Sequence, residues 1–319
     1  MAGDLYVDIV DAINDIAGRH EGRRAVHAKG TLCHATFSAL PAAAQLCRAP
    51  HLQGGAVRGH VRFSNGSGGP SAPDGAQDGR GMALKLYLDD GATTDIVCIS
   101  RRQFFVRTPE DFLAFTRARR PDPETGELDL AKVGEFLGAH PEAGPAVQEQ
   151  LAARPPVSYA RLEYNGIHAF RLLDAQGAAR WVRYRWTPEE GAAVHPEGET
   201  PDLSDDYLQE ELAARLGAGR PARFTLSVAL PQEGDPIEDP TLAWPEERER
   251  VDIARLEVTG IATDRERDGD VLVFDPTRVS DGIELSEDRI LHARSPAYSE
   301  SVKRRAGVGR EAAPPTIAR

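Results

Sequence analysis

Residues 286–305 read SEDRILHARSPAYSESVKRR. Arg294 precedes Tyr298 by four positions, and Arg305 follows seven later. On a helix, a spacing of four places two side chains on one face, within reach of each other. A guanidinium beside a phenol favours the phenolate, because a nearby positive charge stabilises the ionised form. An isolated tyrosine ionises only near pH ~10, so a tyrosine serving as an anionic ligand needs such a neighbour. Alone, Arg and Tyr four apart make an ordinary surface pair. Pro296 lies between them; a proline inside a helix removes one hydrogen bond and crowds the preceding turn, which predicts a kink or a restart there.

A second motif, far upstream, changes the weight of the first. Residues 24–30 read RAVHAKG, within a segment (24–38) whose alternation predicts a strand. The pair RxVHAKG and RxxxY closely resembles the haem catalase family, and the intervening landmarks occur in order. Arg62-Phe63-Ser64 resembles the family's RFS, and residues 78–87 (DGRGMALKLY) its DxRGxAxKFY strand. Residues 104–109 (FFVRTP) with Phe112 match FFxRxP…F, and residues 164–170 (YNGIHAF) resemble YGxHxF. Phe274-Asp275-Pro276, Gly282-Ile283 and Ser286 then lead into the RxxxY helix. The resemblance covers roughly residues 20–305. It implies an α+β fold with a catalase-like core: an antiparallel eight-stranded β-barrel with surrounding helices, and haem buried between the barrel and a C-terminal helix.

Bulk properties agree with a globular chain. Of 319 residues, 40% are hydrophobic and 28% charged, which excludes a disordered class. The formal net charge of −12 repels phosphate backbones and anionic membranes, so no nucleic acid or membrane partner is expected. The three cysteines, Cys33, Cys47 and Cys98, form no CxxC or CxxCH, which argues against a disulfide framework, a zinc site and covalent haem attachment. The N-terminus lacks a basic segment followed by an apolar run, and a cytoplasmic location is expected.

Pattern reading places a helix over 4–18, with Asp4 as N-cap. Strands are predicted near 56–64, 81–89, 93–106, 157–173, 180–187, 222–230 and 253–262. Helical patches fall near 128–138, 144–153 and 203–216. Residues 1–305 read as one domain and 306–319 as a disordered tail. The helical region and further domain that follow the barrel in larger catalases are missing, which is the organisation of the small catalase-related peroxidase type, and a monomer or homodimer is expected.

The resemblance assigns roles by position. Tyr298 corresponds to the axial ligand of the haem iron, the catalase-type choice, with Arg294 keeping it ionised. His27 corresponds to the acid–base histidine on the opposite haem face, and Ser64 to the hydroxyl that orients it. Arg24, Arg62 and Arg305 correspond to the cations on the two propionates, where bidentate geometry suits arginine. Phe112 would pack on the haem, and Val26 would line an apolar approach. In one respect the chain departs from the family. In residues 95–105, DIVCISRRQFF, Ile99 stands where the family carries an asparagine, so peroxide disproportionation should be weakened unless Ser100 or Gln103 substitutes for the amide.

The function implied is a haem-dependent peroxidase, with haem b as cofactor, that reduces hydrogen peroxide or small organic hydroperoxides through an oxo-ferryl intermediate and draws on an unknown electron donor. The alternatives are a true catalase, a hydroperoxide-rearranging enzyme and a non-catalytic haem-binding barrel.

Overall fold

The computed structural model describes residues 4–122, 124–197, 203–262 and 272–305; the expected tail at 306–319 lies outside them. The chain opens with α1 (Leu5–Ala17), whose N-terminus is capped by the Asp4 carboxylate accepting from Tyr6 N–H. Then follow β1 (Gly30–Ala39), α2 (Pro41–Leu46), β2 (Ala56–Asn65), β3 (Arg80–Tyr87) and β4 (Thr93–Ile99). Three helices come next, α3 (Pro109–Ala118), α4 (Leu130–Ala139) and α5 (Gly144–Ala152). The remainder is β5 (Tyr164–Asn165), β6 (Phe170–Leu173), β7 (Ala179–Pro188), α6 (Tyr207–Gly217), β8 (Ala222–Ala229), β9 (Arg250–Ile261), β10 (Ile283–Leu285) and α7 (Arg289–Arg305).

Pairing in the order β7-β5-β4-β3-β2-β1-β9-β8, with β8 returning to β7, closes an eight-stranded antiparallel barrel, and β6 and β10 extend it beyond β7. Strand alternation decides what lies inside. Phe37, Val61, Phe63, Leu84, Leu86, Trp186, Phe224 and Leu256 fill the interior and are almost fully buried. With its interior packed, the barrel can hold a large group only against its outside. Among the described residues, no helix is long and apolar enough to cross a membrane.

The outward positions of β1 to β4 line up in two cross-strand rows. One runs Gly30–Ser64–Gly81–Ile99 and the other Leu32–Arg62–Ala83–Val97. These rows form a wall made of small residues, one hydroxyl, one guanidinium and apolar side chains. The segment after residue 272 is held against the same outer face by a buried ion pair: Lys85 Nζ lies 2.5 Å from Asp95 Oδ1. The other Asp95 oxygen accepts from Asp275 N–H at 2.8 Å and from Arg278 Nη1 at 2.7 Å. Helix α7 packs on α1 and α3.

Four expectations are corrected. The first strand begins at Gly30, not 24, because residues 27 and 28 donate their N–H groups to the Gly66 and Ser67 carbonyls rather than to a neighbouring strand. The strand expected over 93–106 stops at Ile99, and that over 157–173 is divided into a 3-10 turn, β5 and β6. The helix restart expected as one outcome at Pro296 is not there, for α7 runs unbroken from 289 to 305. Two hydrogen bonds span the turn of the proline, Arg294 Nε to Tyr298 Oη and Ser299 Oγ to the Ser295 carbonyl.

Candidate active site

His27 sits just before β1 with φ +56°, the one described non-glycine residue at positive φ. That left-handed conformation costs about 1–3 kcal/mol for a residue of this size. It is fixed by the bonds that bind residues 27 and 28 to the loop after β2. The imidazole Nδ1 lies 3.0 Å from Ser64 Oγ. Space for the ring comes from Gly81, where a Cβ would stand 2.8 Å from Ser64 Oγ and 3.0 Å from His27 Cε1. On the other side of Ser64, a Cβ at Gly30 would meet the Phe63 carbonyl at 2.3 Å. Glycines therefore flank Ser64 on both neighbouring strands, and the wall stays flat beside the imidazole.

Burial, and then the charges of Arg62, Arg294 and Arg24, push the His27 pKa down to about 3. The ring is therefore neutral throughout the physiological range. The same relation shows that Arg24, Arg62 and Arg294 all lie within electrostatic reach of His27.

Opposite this wall stands α7. Arg294 Nε donates to Tyr298 Oη at 2.7 Å, so the two side chains share a face across Pro296. The guanidinium is itself held: Arg294 Nη1 donates to His168 Nε2 at 3.2 Å. Since Nε2 accepts, Nδ1 carries the proton and donates to Asp288 Oδ2 at 2.7 Å. The other Asp288 oxygen caps α7 by accepting from Ile290 N–H at 2.8 Å. His168 and Asp288 are each 1% exposed, and burial lowers the His168 pKa, in keeping with the neutral ring. The result is a continuous line Asp288–His168–Arg294–Tyr298 that fixes the phenol oxygen. His168 lies in a motif noticed in the sequence without a role, and Asp288 carried no signal beyond its position ahead of the helix.

The remaining predicted residues come from several elements. Arg24 donates to the Leu272 carbonyl at 2.6 Å and lies over the Phe274 ring. Arg62 is on the wall itself. Arg305 ends α7 and lines one cleft with Arg24. Phe112 stacks on Phe104, interplanar angle 3°. Val26 is half-buried beside His27. Ile99 ends the upper row of the wall, two strand spacings from Ser64, or about 10 Å. Ser100 and Gln103 do not replace the missing amide. Ser100 Oγ accepts from Arg80 N–H at 2.9 Å, and Gln103 Oε1 accepts from Ala243 N–H at 3.4 Å.

The catalase family profile matches residues 8–315. The chain belongs to the catalase family. Among its relatives is the "Catalase-related peroxidase" of Mycolicibacterium paratuberculosis, 43% identical over 99% of this chain and 100% of the relative. A "Catalase-related peroxidase" of Synechococcus elongatus is 31% identical over 93% of this chain and 87% of its own. Solved structures share the fold: catalase A of Saccharomyces cerevisiae superposes with TM-score 0.82 at 21% identity, over 91% of this chain and 62% of that one. A fungal catalase gives 0.81 at 23% identity, over 90% and 60%. The chain thus spans about three fifths of these two catalases and the whole of the Mycolicibacterium relative.

Catalase-family membership implies haem, and the donor set fits that group. A phenol oxygen held by a guanidinium lies on α7, an oriented imidazole lies beside a wall flattened by glycines, and Arg24, Arg62 and Arg305 offer cations for two carboxylates.

Proposed function

We propose that this catalase-family chain is a peroxidase, using haem b to reduce hydrogen peroxide or a small organic hydroperoxide with electrons from a separate donor. Haem, when bound, supplies the iron at which the peroxide O–O bond is cleaved. Tyr298 Oη would hold that iron, with Arg294, His168 and Asp288 fixing the phenol. Arg24, Arg62 and Arg305 would take the propionates, and Phe112 would pack against the ring. His27 accepts the proton of the nearer peroxide oxygen and delivers it to the departing one, and Ser64 holds the imidazole in place for both transfers. Positioned acid–base groups of this kind contribute about 10²–10⁴-fold. Two electrons and two protons convert hydrogen peroxide to two waters, so the donor is oxidised twice per turnover.

The observation that carries this reading is the imidazole on Ser64 within electrostatic reach of the guanidinium that holds the Tyr298 phenol. The names of the two small relatives support it. Ile99, with Ser100 and Gln103 both engaged elsewhere, favours an external donor over a second peroxide. A cytoplasmic monomer or homodimer goes with the reading.

The test is oxygen release per mole of haem on adding hydrogen peroxide, with and without a donor dye. Little oxygen and steady dye oxidation are expected. Rapid release of half a mole of oxygen per peroxide, indifferent to the dye, would make the chain a true catalase and overturn the proposal.

A further inference from the structure

At the outer end of the space between the barrel wall and α7 lies a cleft formed by the end of α1, the loop over 18–25 and the last turn of α7. Five arginines line it: Arg19, Arg23, Arg24, Arg304 and Arg305. Asn14 and Ser301 add polar groups, and no carboxylate is among the lining residues. Ala25 N–H donates to Ser301 Oγ at 3.5 Å, tying the loop to the helix beneath the cleft.

Such a concentration of cations is unexpected in a chain of formal net charge −12, and the arginines are not equivalent. Arg304 is neutralised by Glu300, 2.7 Å away, and by Asp11. Arg24 and Arg305 are the residues expected to meet the propionates. Arg19 and Arg23 remain, and among the described residues neither side chain meets a carboxylate or a carbonyl. Arg23 is half-buried, so its charge is not simply solvated surface. Two propionates do not account for all these cations once Arg62 is included.

We propose that the cleft is the docking site of the electron donor, and that the donor is a small organic anion held by Arg19 and Arg23. This rests on the peroxidase reading above. The donor's acidic group is clamped by Arg19 and Arg23 at the mouth of the cleft, and its oxidisable ring or enol lies against the surface beside Arg24. Each of two donor molecules gives up one electron and one proton; peroxide takes both pairs and leaves as two waters.

The net negative charge of the molecule does not defeat this attraction. The screening length is about 8 Å at physiological salt, so distant carboxylates are screened while the cleft arginines act at contact distance. A cleft lined by one sign of charge also gathers its counter-ion and speeds encounter.

The experiment uses the holoenzyme, the sulfonated dye ABTS as anionic donor and guaiacol as neutral donor. Wild type is compared with Arg19→Glu/Arg23→Glu. Calorimetric titration of the resting protein with ABTS, without peroxide, gives a Kd independent of turnover. In the variant that Kd should weaken by at least about a hundredfold, each of the two lost charge-assisted hydrogen bonds being worth about tenfold or more, and kcat/KM for ABTS should fall alike. Guaiacol oxidation and the rate of reaction with peroxide should not change. In wild type, added salt should lower kcat/KM for ABTS and not for guaiacol, a comparison that stands even if the variant folds poorly. An unchanged ABTS Kd in the variant, or an equal fall for both donors, would overturn the proposal. Binding that depends on Arg19 and Arg23 in a protein that oxidises neither donor would overturn the peroxidase reading, and the donor assignment with it, leaving only an anion site.

Discussion

Replacing Gly81 by alanine adds one methyl group to a strand that is otherwise kept. That methyl would stand 2.8 Å from Ser64 Oγ and 3.0 Å from His27 Cε1, where an ordinary carbon contact needs about 3.5–4.0 Å. The shortfall is about 0.5–1 Å, and both neighbours belong to the proposed acid–base pair. Because β3 is held on both sides by β2 and β4, its backbone yields less readily than the imidazole, which sits on an irregular segment at positive φ. His27 should therefore be displaced by most of that shortfall. A misplacement of about 1 Å at a reacting group can cost about 10²-fold. Gly81→Ala is expected to slow the reaction with hydrogen peroxide by about 10²-fold, measured by stopped-flow spectroscopy of the holoprotein. The thermal transition and haem content should stay near wild type. If the variant reacts with peroxide within about threefold of wild type while properly folded, either His27 is not the acid–base residue or its position is not set by Gly81.

Other outcomes follow from the same geometry. His27, held near 3 against 6.5 in an unfolded chain, should leave the peroxide reaction flat between pH 5 and 8 and slow it as pH falls towards about 3. The linkage has the same direction: the unfolded chain takes up the proton first, so this group's contribution to stability is full above pH 6.5 and is lost as pH falls from there to about 3. Acid titration of the His27→Ala variant against wild type checks it. Ile99→Asn returns an amide to the wall and should raise the share of peroxide released as oxygen; an oxygen electrode shows whether it does. Lys85→Met leaves Asp95 buried with Arg278 as its remaining cation and should cost about 3 kcal/mol, the low end for breaking a buried pair, read by urea denaturation.

Much of the barrel was readable from single strands. The alternation in β2, β3, β8 and β9 gives two-residue periodicity with one wholly apolar face, so those elements fall close to their expected limits. What failed was set by distant partners. β5 is two residues long and exists because Tyr164 and Asn165 pair with β7, and nothing local marks it as a strand. Residues 24–29 carry a strand pattern, yet hydrogen bonds from the loop after β2 bend them into the conformation that places His27. The helix through Pro296 defeated a local rule because one missing hydrogen bond is small against the contacts of a 17-residue helix. The candidate site was legible through its resemblance to a family, residue by residue. Its supports were less so: His168 and Asp288 lie 120 residues apart in sequence, and their meeting is a product of tertiary structure alone.

The two faces of the site come from opposite ends of the chain, and this imposes an order on its birth. At about 5–20 residues per second, roughly 15–50 s separate the synthesis of His27 from that of Tyr298. For most of that interval β1 has no β9 beside it and the barrel is open, and throughout it the imidazole has no phenol to share the site. A nascent chain that met cofactor and peroxide early would hold neither in a reactive arrangement. Emergence of α7 is the event that arms the protein, so oxidative chemistry begins only on a barrel that is ready to contain it.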